Sequence, residues 1–321
     1  MMKPKFNLKW TRGAAPLVLA GVLALAAAAS APQSTLVQIP LWAPARAKLH
    51  AGALRLRGAR GHVQLLKLQP PGSPTIVFVM LDLSNAVDSA TAVRAGLTRM
   101  IAHLPAQTWV GLMSVNDGFH VILSPTRDRA ALRRAVQAIS PSGHPGLLDS
   151  IEAVERIADR VQRQGKIKVA VLAVTDSDVR NYRSDYADQR VNSSDNHDLS
   201  RRFPGRDLQS KVRRMDRRLL RYRVPMFILQ VKHRGDPLNR IYDNALQRFC
   251  ATLGGRAWFA QSVAEIPSDL GAAFQRVQSF YLATVRTPPP GGEVDFTLSF
   301  EGSELPTTSY RRALVTTHLD H

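Results

Sequence analysis

The run Thr75-Ile76-Val77-Phe78-Val79-Met80-Leu81 carries no polar side chain after its first residue and is rich in β-branched and aromatic types. That composition suits a strand covered on both faces, and such strands belong to parallel sheets sandwiched between helices. This one run therefore argues for a layered α/β protein. Lys168 to Val174 and Met226 to Val231 repeat the pattern. Between the runs the period lengthens to that of a helix: Val93, Leu97, Met100, Ile101 and Leu104 recur three or four residues apart. Further helices are expected at Arg127–Ile139, Leu147–Gln162, Asp207–Tyr222, Leu238–Leu253 and Ile266–Tyr281. Gly254-Gly255 supplies a helix stop before a short strand, Arg256–Ala260.

Trp109–Val115 and Phe119–Leu123 flank Asn116-Asp117-Gly118, a turn built for positive φ, so the pair reads as a tight hairpin that adds an antiparallel strand. The expected fold is a three-layer, Rossmann-like α/β domain with a mostly parallel central sheet, one antiparallel edge strand and a small β appendage. Ligand sites in such folds lie at the C-terminal ends of the strands. The appendage comes from Val294–Phe300 and Ser309–Thr316, which alternate like antiparallel strands past Pro288-Pro289-Pro290. From Leu36 to Gln69 the chain is basic and loosely patterned. It reads as a linker into two short strands, Leu54–Leu56 and His62–Leu68, around the turn Gly58-Ala59-Arg60-Gly61. The organisation so derived is residues 1–29 as a signal, 30–73 as linker and short β element, 74–287 as the main domain and 288–321 as a C-terminal β tail.

The signal has three zones: Lys3, Lys5, Lys9 and Arg12, then an apolar stretch from Ala14 to Ala29, then small residues. Cleavage after Ala29 leaves Ala27 and Ala29 at the small-residue positions. The stretch is shorter than the ~20 residues of a spanning helix. The expectation is a periplasmic or extracellular protein, with retention by an uncleaved N-terminal anchor as the alternative. Cys250 is the sole cysteine, which excludes an intrachain disulfide and a thiolate zinc cluster and places it on the apolar side of a helix.

Lys and Arg number 43 against 25 Asp and Glu, a net charge of +18, so the surface attracts anions. The excess concentrates in Arg201–Arg223. At helical spacing Arg214, Arg217, Arg218 and Arg221 share one face, the candidate anion-binding face, while Leu208, Val212, Met215 and Leu219 share another. A solvated outer face explains the same pattern without any partner. Only Phe203 and Tyr222 could stack on bases, so nucleic acid is not an expected partner. The sequence holds no Gly-x-Ser-x-Gly elbow, no His-Glu-x-x-His and no phosphate-binding glycine loop after the first run.

Two strand ends carry the most specific residues. Asp82-Leu83-Ser84-Asn85-Ala86 resembles the Asp-x-Ser-x-Ser signature of von Willebrand factor type A domains, and Thr175-Asp176-Ser177 resembles that family's later Thr-Asp-Gly. The similarity covers Pro74 to Thr287. Leu54–Leu68, Gly254-Gly255, Gln278–Tyr281 and Val294–Val315 fill the slots of the bacterial secreted branch of the family. The resemblance implies a metal-ion-dependent adhesion site in which Asp82, Ser84 and Asp176 hold Mg²⁺ or another divalent cation, completed by a partner's carboxylate. Two of the family's three direct ligands are missing, because Ala86 and Pro145 stand in the second serine and threonine slots. A hard cation wants oxygen ligands in near-octahedral array, so the site is degenerate unless Asn85, Asp88, His144 or Asp178 substitutes. Otherwise Asp82, Ser84 and Asp176 serve as turn and cap residues.

The leading expectation is an exported protein–protein interaction module, not an enzyme, that meets another envelope or extracellular protein with weak or absent metal dependence. The alternative is a surface-associated electrostatic binder of anionic lipid or polyanion through the basic helix 201–223. An α/β hydrolase or phosphatase ranks last, since a phosphoryl-transfer Asp82 would want a second carboxylate where Ser84 stands.

Overall fold

A computed structural model describes residues 35–42, 54–58, 64–84, 87–165, 167–179, 204–231, 235, 237–287, 293–300 and 308–313. The stretch 1–29 read as a signal, Asn85, Ala86, and most of the polar insertion after Val179 lie outside these residues. Three strands come first: β1 (Thr35–Trp42), β2 (Leu54–Gly58) and β3 (Gln64–Gln69). The alternating part then runs β4 (Thr75–Asp82), α1 (Val87–Ala102), β5 (Thr108–Ser114), β6 (His120–Thr126), α2 (Arg129–Gln137), α3 (Leu147–Gln164) and β7 (Lys168–Thr175). It continues with α4 (Pro204–Leu219), β8 (Met226–Gln230), α5 (Pro237–Leu253), β9 (Arg256–Phe259) and α6 (Ile266–Gln278). Strands β10 (Phe280–Thr287), β11 (Glu293–Phe300) and β12 (Thr308–Ala313) follow.

The central sheet has six strands in the order β6-β5-β4-β7-β8-β9. All neighbours are parallel except β5 and β6, so the antiparallel edge strand falls where the Asn116-Asp117-Gly118 turn predicts it. Asp117 and Gly118 both have positive φ, and Ser114 and His120 close the hairpin. Alternate residues of each strand feed two separate cores. Val77, Val79, Leu81, Leu172 and Val174 pack with α1, α2 and α6 on one face. Phe78, Met80, Val171, Ala173 and Ile228 pack with α3, α4 and α5 on the other. Burying a Val, Leu or Phe side chain contributes about 1.5–3 kcal/mol, so strands apolar at every position draw on both faces. Helix α5 ends at Gly254, whose φ of +86° would strain any residue with a Cβ. Cys250 is buried on the inner side of α5, and burial pushes its thiol well above the usual range.

Three local expectations are corrected. The stretch read as a linker contains β1, whose Val37, Ile39 and Leu41 are buried in alternation. Pro40 is compatible because β1 is an edge strand of a second sheet, β1-β10-β3. The short strands β2 and β3 do not form a hairpin: β3 pairs with β10, whereas β2 joins β11 and β12 in a third sheet. The last helix stops at Gln278 rather than reaching Tyr281, because Phe280 to Thr287 pairs along all of β1. Trp42 closes that junction, donating its indole N–H to the Arg276 carbonyl at 2.9 Å beneath the Arg276 guanidinium. Among the described residues no helix is long and apolar enough to cross a membrane.

Candidate functional site

Strands β4 and β7 run parallel in register from Thr75 beside Lys168 to Asp82 beside Thr175, so their last residues lie side by side. Asp82 is fully buried there. Its Oδ1 accepts the Gly146 N–H at 2.9 Å, and its Oδ2 accepts the Thr175 hydroxyl at 2.7 Å and the Ser177 hydroxyl. Gly146 opens α3, and a Cβ there would collide with the Val115 carbonyl oxygen, so the close approach requires glycine. Burial raises the Asp82 carboxyl above its ordinary range, against the pull of the Ser177, Gly146 and Thr175 donors, and nearby Asp176 adds to the rise.

Asp176 is also buried, and its carboxylate accepts the Ser84 N–H at 2.9 and 3.0 Å and the Ser84 hydroxyl at 3.0 Å. Asp82, Ser84 and Asp176 are thus brought together, but each carboxylate is turned into a bracket between loops. Asn116 supports the same loop: its Oδ1 accepts the Leu83 N–H at 3.2 Å. Its side-chain amide donor has no hydrogen-bond partner, although the residue is 9% exposed. Asn239 on α5 accepts the Val179 N–H, and Gln230 at the end of β8 donates to the Ser177 carbonyl. Tyr242 is buried behind this shell, its hydroxyl pushed up first by burial and then by Asp82, Asp178, Asp243 and Asp176.

The exposed rim is different in character. Asp117, at φ +51°, accepts both the backbone N–H of His144 at 2.9 Å and its ring Nδ1 at 2.8 Å. These bonds hold the Asp117 carboxyl below its usual range. Val87 and Asp88 at the start of α1 are also exposed, Val87 at 67%.

The residues do not fit a tightly held divalent cation. Both Asp82 oxygens are engaged by three protein donors. The Ser84 hydroxyl is directed to Asp176. Pro145, buried in the threonine slot, has no side-chain oxygen. Among the described residues no group of three His, Cys, Asp or Glu side chains could hold a metal ion. Of the possible substitutes, His144 is committed to Asp117 through Nδ1.

The basic helix is sorted by its neighbours. Leu208, Val212, Met215 and Leu219 are buried as the spacing predicts. The four arginines do not serve one surface, however. Arg218 pairs with Glu152 of α3 at 3.3 Å, and Arg221 lies in the turn after the helix. Arg214 and Arg217 instead border a depression on the side of α5, together with Arg213 and Arg248. Arg213 and Arg248 were not legible as members, because their placement depends on how α4 and α5 pack.

Residues 77–178 match the von Willebrand factor type A domain family. The fold resembles the vWF domain of the type V pili tip protein Mfa5 from Porphyromonas gingivalis: TM-score 0.44, 11% identity, 64% of this chain and 95% of that one. It also resembles the PilB minor pilin from Streptococcus sanguinis: TM-score 0.45, 11% identity, 65% of this chain and 62% of that one. A third likeness is to an aerotolerance-related membrane protein from Bacteroides fragilis: TM-score 0.38, 14% identity, 63% of this chain and 98% of that one. No curated protein sequence matches the chain significantly.

Proposed function

The chain carries a von Willebrand factor type A domain at residues 77–178, and from that premise we propose that it is an exported, non-enzymatic module that binds another envelope or extracellular protein at the strand-end face without a bridging metal ion. The observation that carries this reading is the saturation of Asp82 by Gly146, Thr175 and Ser177. Those bonds fix the loops after β4 and β7 and the start of α3, so the face is pre-shaped before a partner arrives. A preorganised face loses less conformational freedom on binding. The partner then meets the rim, where Val87 offers an apolar contact and Asp88, Asp117 and His144 offer polar ones. The basic, apolar and small-residue zones of 1–29 support export, and they place the partner in the same compartment.

The test is capture from an envelope fraction by the parent chain and by Asp117→Ala/His144→Ala, each with and without chelator. The reading expects one captured protein, equal recovery in chelator, and a loss of roughly tenfold or more in the double variant, in line with removal of a central interface pair. Loss of capture in chelator, or full capture by the double variant, would overturn it.

A further inference from the structure

Helix α4 is fixed on both flanks by ion pairs that use only some of its cations. Toward α3, Lys211 reaches Asp149 at 2.6 Å and Arg218 reaches Glu152. Toward α5, Asp216 accepts from Arg248 at 2.7 Å and from the Thr252 hydroxyl at 2.5 Å. Arg213, Arg214 and Arg217 remain: all three are exposed, and no described carboxylate pairs with them. With Arg248 they surround an open depression of about 550 Å³, and Asp216 is the one acid in its lining. A second hollow adjoins it, shares Arg213 and Arg248, and is lined by Val212, Ile241 and Ala245 together with Gln209 and Asn244.

We infer that this α4–α5 surface docks the chain onto the phosphate headgroups of an anionic phospholipid bilayer. Guanidinium groups bind phosphate oxygens through paired N–H donors, and Arg213, Arg214 and Arg217 around one depression supply several such forks, with Arg248 held by Asp216 at its side. The apolar hollow beside them matches the boundary where headgroup gives way to acyl chain. A second copy of the chain is disfavoured as occupant, since both molecules carry +18. Nucleic acid is disfavoured as well: the depression has no aromatic side chain for base stacking, and Tyr222 is buried with its hydroxyl toward Glu152. The surface is separate from the strand-end rim and uses none of its residues, so either proposal can fail alone.

Cosedimentation with phosphatidylcholine vesicles, with and without phosphatidylglycerol, tests it on the full chain. Arg213→Gln/Arg214→Gln/Arg217→Gln is compared with Arg133→Gln/Arg134→Gln/Arg160→Gln, which removes the same charge from exposed positions elsewhere. At about 1 kcal/mol per basic residue near the membrane, the first triple variant should lose roughly a hundredfold in partition to phosphatidylglycerol vesicles. The second should stay near the parent chain. Equal losses in both variants would reduce the effect to bulk charge and overturn the proposal, as would equal binding to vesicles without phosphatidylglycerol. Inorganic phosphate at matched phosphate concentration should leave vesicle binding in place. Displacement by it would assign the depression to a free anion instead.

Discussion

The two ends of the β4–β7 pair make a controlled comparison, because each buries an ionisable group, Asp82 at one and Lys168 at the other, that forms no ion pair among the described residues. At the C-terminal end Asp82 is surrounded by an amide and two hydroxyls. At the N-terminal end Lys168, also fully buried, donates to the carbonyls of Pro70 and Phe280 at 3.0 Å each and lies over the Phe280 ring. Burial pushes both toward neutrality: Asp82 upward, Lys168 down to about 8. The difference is in what they join. Asp82 ties loops that belong to the strand-end face. Lys168 ties the central sheet to β10 and to the turn after β3, and so holds the β1-β10-β3 sheet in place. Hydrogen bonds to fixed dipoles let a buried charge act as a fastener without a counter-ion, and the loss of such bonds is costly.

The strongest way to break the symmetry is Asp82→Ala, which strands three donors. It should cost about 4 kcal/mol, lowering the melting temperature by roughly ten degrees in calorimetry, to the same extent with and without Mg²⁺. A change of only a degree or so would mean that the strand ends are not knitted through this carboxylate.

Next in size is the alkaline limb. Between about 8 and 10.5 the unfolded chain still holds the Lys168 proton that the folded chain has released. Stability from this group therefore rises with pH across that window, by up to roughly 3 kcal/mol. Urea unfolding of the parent and of Lys168→Met on either side of the window should show this rise as the difference between the two chains, because Cys250 and Tyr242, held protonated by burial, lower the stability of both alike as pH climbs. At the other end the sign is opposite: the folded chain holds the Asp82 proton longer than the unfolded chain does. Its contribution thus falls as pH climbs from about 3.8 through the raised value.

Ser177→Gly, which restores the family's residue, removes one donor from Asp82 and should cost about 1 kcal/mol, read from the urea midpoint at constant slope. Smallest of all, millimolar Mg²⁺ should leave the melting temperature of the parent chain unchanged. A clear upward shift would report binding to the folded state and reinstate a cation at Asp82, Ser84 and Asp176.

Much of this frame was legible in residues. β4 and β7 announce themselves by unbroken apolar runs, the edge hairpin by Asn116-Asp117-Gly118, and the strand ends by Asp82 and Asp176. What was hidden depends on tertiary company. Lys168 reads as a polar strand mouth until Phe280 and Pro70 arrive from distant segments to receive its protons. Strand β1 is disguised by Pro40, which its edge position tolerates. The Asp82 bracket needed Gly146 and Ser177, and nothing in their own neighbourhoods points to a carboxylate far away in sequence. The arginines of α4 look equivalent on a helical wheel, yet Glu152 takes one of them and the α5 side keeps three.

The β1–β10 pairing also governs when this molecule can finish forming. Thr35 lies opposite Thr287 and Trp42 opposite Phe280, so most of the chain separates the partners. During synthesis Val37, Ile39 and Leu41 leave the ribosome early and find no cover until Phe280 to Thr287 emerges near the end. A chain whose first described strand must wait for one of its last stays incomplete through most of its own production.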